Sequence, residues 1–288
     1  MCIRDRLGTN ATALKLAVAR FKERWPQIQL DYDPILLSPK SVLPRLGYLT
    51  GPGGAGITVS EATAQMFDPD DPDRPVKAFL QEYQVLFGFG PEALDDANVQ
   101  RDYVSAGNGA RTVVWQQQVA GVPVFDALLI GHITSLGELA CLSSEFIPSP
   151  AQAADPAMIA AVQSGADLPL SSSQALVTAV TNIGDRFAAG YIVAQTDATG
   201  ATRQQTFTAT DGIKGDARAE LTWFPASRTQ LKLCWQVLFT SPWRDEMYLT
   251  LVSADTGEIL YRRNLTTEGS TTTCRVFTNA SPTPLLPG

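Results

Sequence analysis

One histidine, His132, stands in a chain of 288 residues, and that alone limits the chemistry. A zincin needs two histidines one helical turn apart and a glutamate base, a set this chain cannot build. Ser-His-Asp or Cys-His catalysis would have to use His132, which falls mid-way along a β-rich run with no G-x-S-x-G elbow beside it. Its expected role is that of a partly buried strand histidine. Asp255, Thr256 and Gly257 spell the D-T-G triplet with which aspartic peptidases share one proton between two carboxylates. A single copy would need a homodimer to act, and Asp and Gly are also what a turn between the runs 249–252 and 259–261 demands.

The remaining candidates have similar explanations. Asp68, Asp70, Asp71 and Asp73 form D-P-D-D-P-D, calcium-like in composition but without the D-x-D-x-D-G spacing or the distal glutamate. A solvated loop that ends in a helix cap accounts for them. The glycine run at 51–56 lacks a following Gly-Lys-Ser/Thr, so it reads as a loop and not a phosphate cradle. Cys2, Cys141, Cys234 and Cys274 contain no C-x-x-C pair, and spacing alone leaves their pairing open. Asn10, Asn264 and Asn279 head N-x-S/T triplets that would matter only in a eukaryotic secretory pathway. No catalytic residue, metal ligand or cofactor site follows from these patterns.

Bulk properties agree. A net charge of −7, with acidic and basic residues mixed along the chain, gives none of the basic footprint of a nucleic-acid binder. The apolar-rich runs, such as 122–130, are of strand length, too short to span a bilayer. The opening Met-Cys-Ile-Arg-Asp-Arg has neither the apolar stretch of a signal peptide nor the start of a helix, so residues 1–6 are a candidate artefact of an upstream truncation.

The elements that would hold any site fall into two similar halves. Residues 11–25 suit a short amphipathic helix stopped by Pro26, and an irregular Pro- and Gly-rich stretch follows, so 1–57 reads as an irregular N-terminal segment. Val76, Phe79, Leu80, Tyr83, Leu86 and Phe87 recur with helical period, with Asp73 as N-cap, Pro75 in the first turn and Gly88 at the end. Runs at 112–119, 122–133 and 138–147 then read as an antiparallel meander. From 148 to about 169 Ala, Pro, Ser and Asp dominate, the expected domain connection. Ser171 and Gln174 form a capping box for a helix bearing Leu176, Ala179, Val180 and Ile183. Strands follow near 203–210, 218–224, 229–240, 245–253 and 258–264. The expectation is an α+β fold of two domains, 58–148 and 149–265, each a helix packed on an antiparallel sheet. Residues 266–288 read as a linker and the start of another unit.

Specific segments resemble a known family. RTVVWQQQVAGVPVFDA, from Arg111 to Ala127, resembles the fungalysin/thermolysin propeptide motif. AELTWFP, LKLCWQV and SADTGEILYRRNL resemble the second, PepSY-like part of fungalysin-type precursors, and RVFTNASPTP, starting at Arg275, resembles the start of the mature peptidase in bacterial members. The resemblance implies two cystatin/PepSY-like domains that act as intramolecular chaperone and inhibitor of a secreted zinc metallopeptidase. The catalytic domain, with its H-E-x-x-H and its zinc, is absent here, so the implied partner is a cognate peptidase domain in cis. Export would use a signal peptide lost by truncation.

Two alternatives stay open. One is a free-standing PepSY-type inhibitor or envelope binding module, and the other an aspartic peptidase acting through Asp255. For contact with a partner, the candidates are Gln116, Gln118 and the hairpin residues Gly121, Val122, Pro123, Val124 and Phe125, since an exposed strand edge can pair with another chain. The competing role for Val122, Val124 and Phe125 is simply the sheet core. Thr266, Thr267, Gly269, Ser270 and Thr273 make the candidate processing linker.

Overall fold

Alternating apolar residues build one continuous sheet of 12 strands in the computed structural model, which describes residues 3–33, 36, 38–185, 192–209 and 212–266. Helix α1, Ile3–Arg24, leads into β1, Ile28–Tyr32, and β2, Pro39–Pro44. These two strands lie inside the stretch read from sequence as irregular. Prolines bound β2 at both ends and its pairing with β6 is short, so the local strand signal is weak. The helix also starts earlier than expected, since its first two turns lack a clear apolar face.

Helix α2, Glu61–Ala64, precedes α3, Arg74–Glu82, and α4, Gln84–Phe87. The predicted apolar face is buried: Val76, Phe79, Leu80, Leu86 and Phe87 all point inward. The continuous helix expected from this periodicity instead breaks at Tyr83. The Tyr83 hydroxyl donates to the Thr58 carbonyl at 2.5 Å, and its ring packs edge-on against Phe21 of α1. Asp73 occupies the N-cap position but makes no side-chain cap bond. Its carboxylate accepts from Arg111 Nη1 at 2.7 Å, so an ion pair across the fold replaces the local cap.

The first meander comprises β3, Asn98–Val104, β4, Arg111–Val119, β5, Val122–Ile133, and β6, Leu139–Ser144. Strand β3 is exposed along its whole length, so it shows no burial alternation for a sequence pattern to reveal. Gly131 of β5 sits under α3, where a Cβ would come within 2.8 Å of Val76 Cγ2. Its missing side chain sets how closely helix and sheet approach.

The 148–169 connection folds into α5, Pro150–Ala153, and α6, Pro156–Ser164. Helix α7, Ser172–Asn182, carries the expected capping box, with the Ser171 hydroxyl accepting from Gln174 N–H and the Gln174 side chain accepting from Ser171 N–H. Strands β7, Ile192–Ala194, β8, Gln205–Ala209, β9, Asp216–Ser227, β10, Gln230–Thr240, β11, Met247–Ser253, and β12, Ile259–Asn264, complete the sheet. Sheet order is β1-β2-β6-β5-β9-β10-β11-β12, with β3 beside β4 and β7 beside β8 off that path.

Buried side chains gather in two clusters. The first lies between α3, α4 and β4–β6 and holds Phe79, Phe87, Trp115, Leu129 and Phe146. The second lies between α7 and β9–β11 and holds Leu176, Val180, Trp223, Val237 and Phe239. This second cluster also takes in Val119, Val122, Val124 and Ala127 from β4 and β5. Its membership therefore crosses the domain boundary expected at residue 148.

Candidate partner-binding surface

The segment 111–127 is where the two clusters meet. Strands β4 and β5 turn through Ala120 and Gly121, both at positive φ (52° and 76°), the backbone of a type I′ hairpin. Glycine meets that demand at no steric cost; alanine does so under strain.

Beyond the turn the ladder is interrupted. Gln118 pairs with Pro123 and Gln116 with Leu128, so the four residues 124–127 of β5 face the single residue Gln117. This is a large bulge, with Asp126 at φ 55°. Gln116 fills it, its side-chain amide donating to the carbonyls of Val124 at 2.6 Å and Ala127 at 3.0 Å. Gln117 is buried, donating to the Ile147 carbonyl and accepting from the Ile147 N–H, both at 2.9 Å. A side chain thus supplies the pairing that an adjacent strand would.

Released from β4 by the bulge, β5 meets β9 in a parallel bridge, Val124 opposite Trp223. The Thr222 hydroxyl donates to the Pro123 carbonyl at 3.0 Å, and the Trp223 indole N–H to the Val119 carbonyl at 3.1 Å. Phe125 leaves the other face of the strand, its ring centroid 5.3 Å from that of Tyr261 on β12. Asp126 lies in the field of Glu145, Arg263 and Lys40, and burial first, with Glu145 second, raises its pKa. Lys40 and Glu145 pair at 2.5 Å.

Val122 and Val124 are wholly buried, which leaves them no surface for another chain. Phe125 is half-buried against Tyr261, and Gln116 and Pro123 are engaged by internal hydrogen bonds. Of the residues expected at a contact, Gln118 and Gly121 remain open, and both line a groove. The sequence pattern marks this hairpin correctly but cannot tell an internal joint from an external edge, because both need the same apolar alternation.

The groove has two sections of about 640 Å³ each. They share Gly88, Phe89, Glu92, Ser149 and Gln152 as walls. Arg228 lines only the first section, while Asp95 and Asp96 line only the second. Arg228 donates to the Leu36 carbonyl at 3.0 Å and meets no carboxylate among the described residues. Burial lowers its pKa from the ordinary arginine value.

The other chemistry-bearing residues have structural partners. His132, half-buried on β5, shares a 2.9 Å hydrogen bond between its Nδ1 and the Thr112 hydroxyl. Asp255 and Thr256 both donate backbone N–H groups to the Ser253 hydroxyl, and Gly257 takes φ 75°, so D-T-G forms the β11–β12 turn. In the D-P-D-D-P-D loop, Asp71 binds Lys77 at 2.6 Å and Asp73 binds Arg111. Cys234 is buried and its thiol is pushed up to about 12, chiefly by burial; burial also raises Cys141. Cys2, Cys274 and Asn279 lie outside the described residues, as do Thr267, Gly269, Ser270 and Thr273 of the expected linker. Thr266 is described, its hydroxyl accepting from the Met247 N–H at 2.7 Å. Among the described residues no group of His, Cys, Asp and Glu is placed to hold a metal ion, and no helix is long and apolar enough to cross a membrane.

Residues 95–146 match the Fungalysin/Thermolysin Propeptide Motif family. The matched stretch covers β3 to β6 and so contains the hairpin, the bulge and Gln116–Gln118. No curated protein matches the chain. Among solved structures, the Bacillus megaterium YpeB C-terminal domain is similar over 88% of this chain and 97% of its own, at 11% identity and a TM-score of 0.31.

Proposed function

We propose that the chain is the non-catalytic propeptide region of a fungalysin-type zinc metallopeptidase, restraining and helping to fold a peptidase domain joined to it. The match of residues 95–146 to the propeptide motif carries this reading. With one histidine the chain cannot itself supply a two-histidine zinc site, so catalysis and zinc belong to the partner. Export of the whole precursor from the cell is part of the proposal.

The physical case for both roles rests on tethering. A covalently linked template works at high effective concentration, so modest intrinsic affinity suffices to guide folding and cover a cleft. Cleavage in the Thr- and Ser-rich stretch after Thr266 would remove that advantage and release the peptidase. In this reading the two helix-on-sheet halves are related modules, and the Gln116–Phe125 joint fixes their relative placement.

The test is direct. The reading frame beyond Gly288 should encode H-E-x-x-H and a downstream glutamate ligand. The catalytic domain so encoded should refold poorly alone, recover when refolded with the 1–288 chain, and be inhibited by it. A frame without that motif, or a peptidase that refolds equally well alone and stays uninhibited, overturns the proposal. A natural stop shortly after residue 288 would favour a free-standing inhibitor or binding module.

A further inference from the structure

The groove beside the hairpin has a polarity that the fold itself leaves unused. Several charges in the molecule are paired within it: Lys40 with Glu145, Lys77 with Asp71, Arg111 with Asp73 and Asp102, Arg218 with Glu220. Those that line the groove have no such partner among the described residues. Asp95 and Asp96 make no side-chain hydrogen bond or ion pair among the described residues, and Glu92 accepts only from the nearby Gly90 N–H. At the other section, Arg228 has only the Leu36 carbonyl.

We propose that this groove binds an extended polypeptide segment of mixed charge, which lays a lysine or arginine against Glu92, Asp95 and Asp96 and a carboxylate against Arg228. Two contiguous sections of about 640 Å³ make a slot and not a closed pocket. Phe89, largely buried in the wall that both sections share, puts an apolar element between the charged ends. Gln118 and Gln152 reach the walls with side-chain amides that have no partner among the described residues, and each offers a donor and an acceptor to a peptide backbone. The wall is pre-organised. The Gln117–Ile147 pair of hydrogen bonds and the Gln116-filled bulge hold the hairpin before any ligand arrives, which lowers the entropic cost of binding. Three carboxylates beside one guanidinium disfavour nucleic acid and favour a peptide whose charges run in one order.

The inference does not depend on the partner being a peptidase. Its test uses the full chain and fluorescent peptides of about twelve residues, Ser and Ala throughout, with one Lys and one Glu in either order at spacings of about four to eight residues. Controls carry Gln in place of both charges. Anisotropy at low salt should show one order and spacing bound at least about tenfold more tightly than its uncharged control, an advantage that fades as salt screens it. Asp95→Asn with Asp96→Asn, and separately Arg228→Gln, should each remove most of that advantage. Gln152→Trp should block the slot, and Arg228→Glu should shift preference to peptides with Lys at both ends. The last result, a gain of new specificity, cannot come from misfolding. Equal binding of all peptides, or a charge preference untouched by these variants, overturns the proposal; so does tight binding of calcium alone that peptide fails to displace. A peptidase inhibited equally by the wild-type and D95N/D96N chains would count against the groove while leaving the propeptide reading intact. Specific peptide binding by a chain that inhibits nothing would do the reverse.

Discussion

The indole N–H of Trp223 donates to the carbonyl of Val119 across 104 residues of sequence, at 3.1 Å and with the tryptophan fully buried. This bond ties the tip of a hairpin from the first half of the chain into the core of the second. The hairpin is thereby an internal joint as much as a surface feature, and the two roles make separable predictions.

Val124→Ala should destabilise the whole chain by about 1–3 kcal/mol, through lost burial and an unfilled space beside Trp223. Gln118→Ala, by contrast, touches only the groove wall and should stay within about 0.5 kcal/mol of wild type. Urea unfolding followed by tryptophan fluorescence distinguishes them; equal effects would place Gln118 in the core or Val124 outside it.

Gln117→Leu keeps side-chain volume but leaves the buried N–H and carbonyl of Ile147 without partners. The expected cost is about 2–4 kcal/mol, larger than a typical single hydrogen bond because both groups stay desolvated. A shift in urea midpoint at unchanged slope is the readout.

Arg111 binds Asp102 and Asp73, each at 2.7 Å, and donates to the Pro72 carbonyl, fastening the exposed β3 to the loop before α3. Its hydrogen bond holds the Asp102 carboxyl below the ordinary carboxylate value of 3.8. A carboxylate whose pKa is depressed by folding adds stability that is present above its unfolded value and lost as pH falls through the folded one. Stability should therefore decline below about pH 4, and Arg111→Met should remove this part of the acid dependence. Unfolding measured from pH 7 to pH 2 tests it; identical pH profiles for the two proteins would refute the link.

The thiol of Cys234 should resist modification while the chain is folded, since its pKa is raised to about 12 and it is fully buried. Peptide mapping after a thiol-reagent pulse at pH 8 should find Cys234 labelled only as fast as the protein unfolds. Rapid labelling in the native state would mean that the β9–β10–β11 sheet opens locally.

Gly257→Ala should cost about 1 kcal/mol, because residue 257 holds φ 75°. Asp255→Asn should be nearly neutral for stability and should change no proteolysis, as befits a turn residue. Loss of a peptidase activity in Asp255→Asn alone would revive the aspartic mechanism.

Much of this architecture is legible in the residues themselves. The α3 face follows from helical periodicity and the Ser171–Gln174 capping box from a four-residue spacing, each of which a single segment displays in full. Strand β3 escapes detection because it is exposed on both faces and so has no alternation. Tyr83 ends a helix whose pattern runs on through Phe87, and its reason to do so, the Thr58 carbonyl, lies 25 residues away. The hairpin at Val122–Phe125 is the instructive case. Its apolar alternation is plain, but whether those side chains face a partner or an internal core depends on β9, a hundred residues downstream. The groove is hidden for a related reason: its walls come from Leu14 and from residues 84–97, 117–121, 147–153 and 228–229, and no one of them carries a recognisable motif.

The hairpin tip also sets a clock. Ribosomes add about 5–20 residues per second, so Val119, Val122 and Val124 emerge roughly 5–20 s before Trp223 is made to receive them. For that interval the three apolar side chains exist without the β9 and β10 residues that complete their core. Whatever shields them then, whether a chaperone, the exit-tunnel surface or early pairing with the chain's own helices, decides how much of each newly made molecule reaches the native sheet.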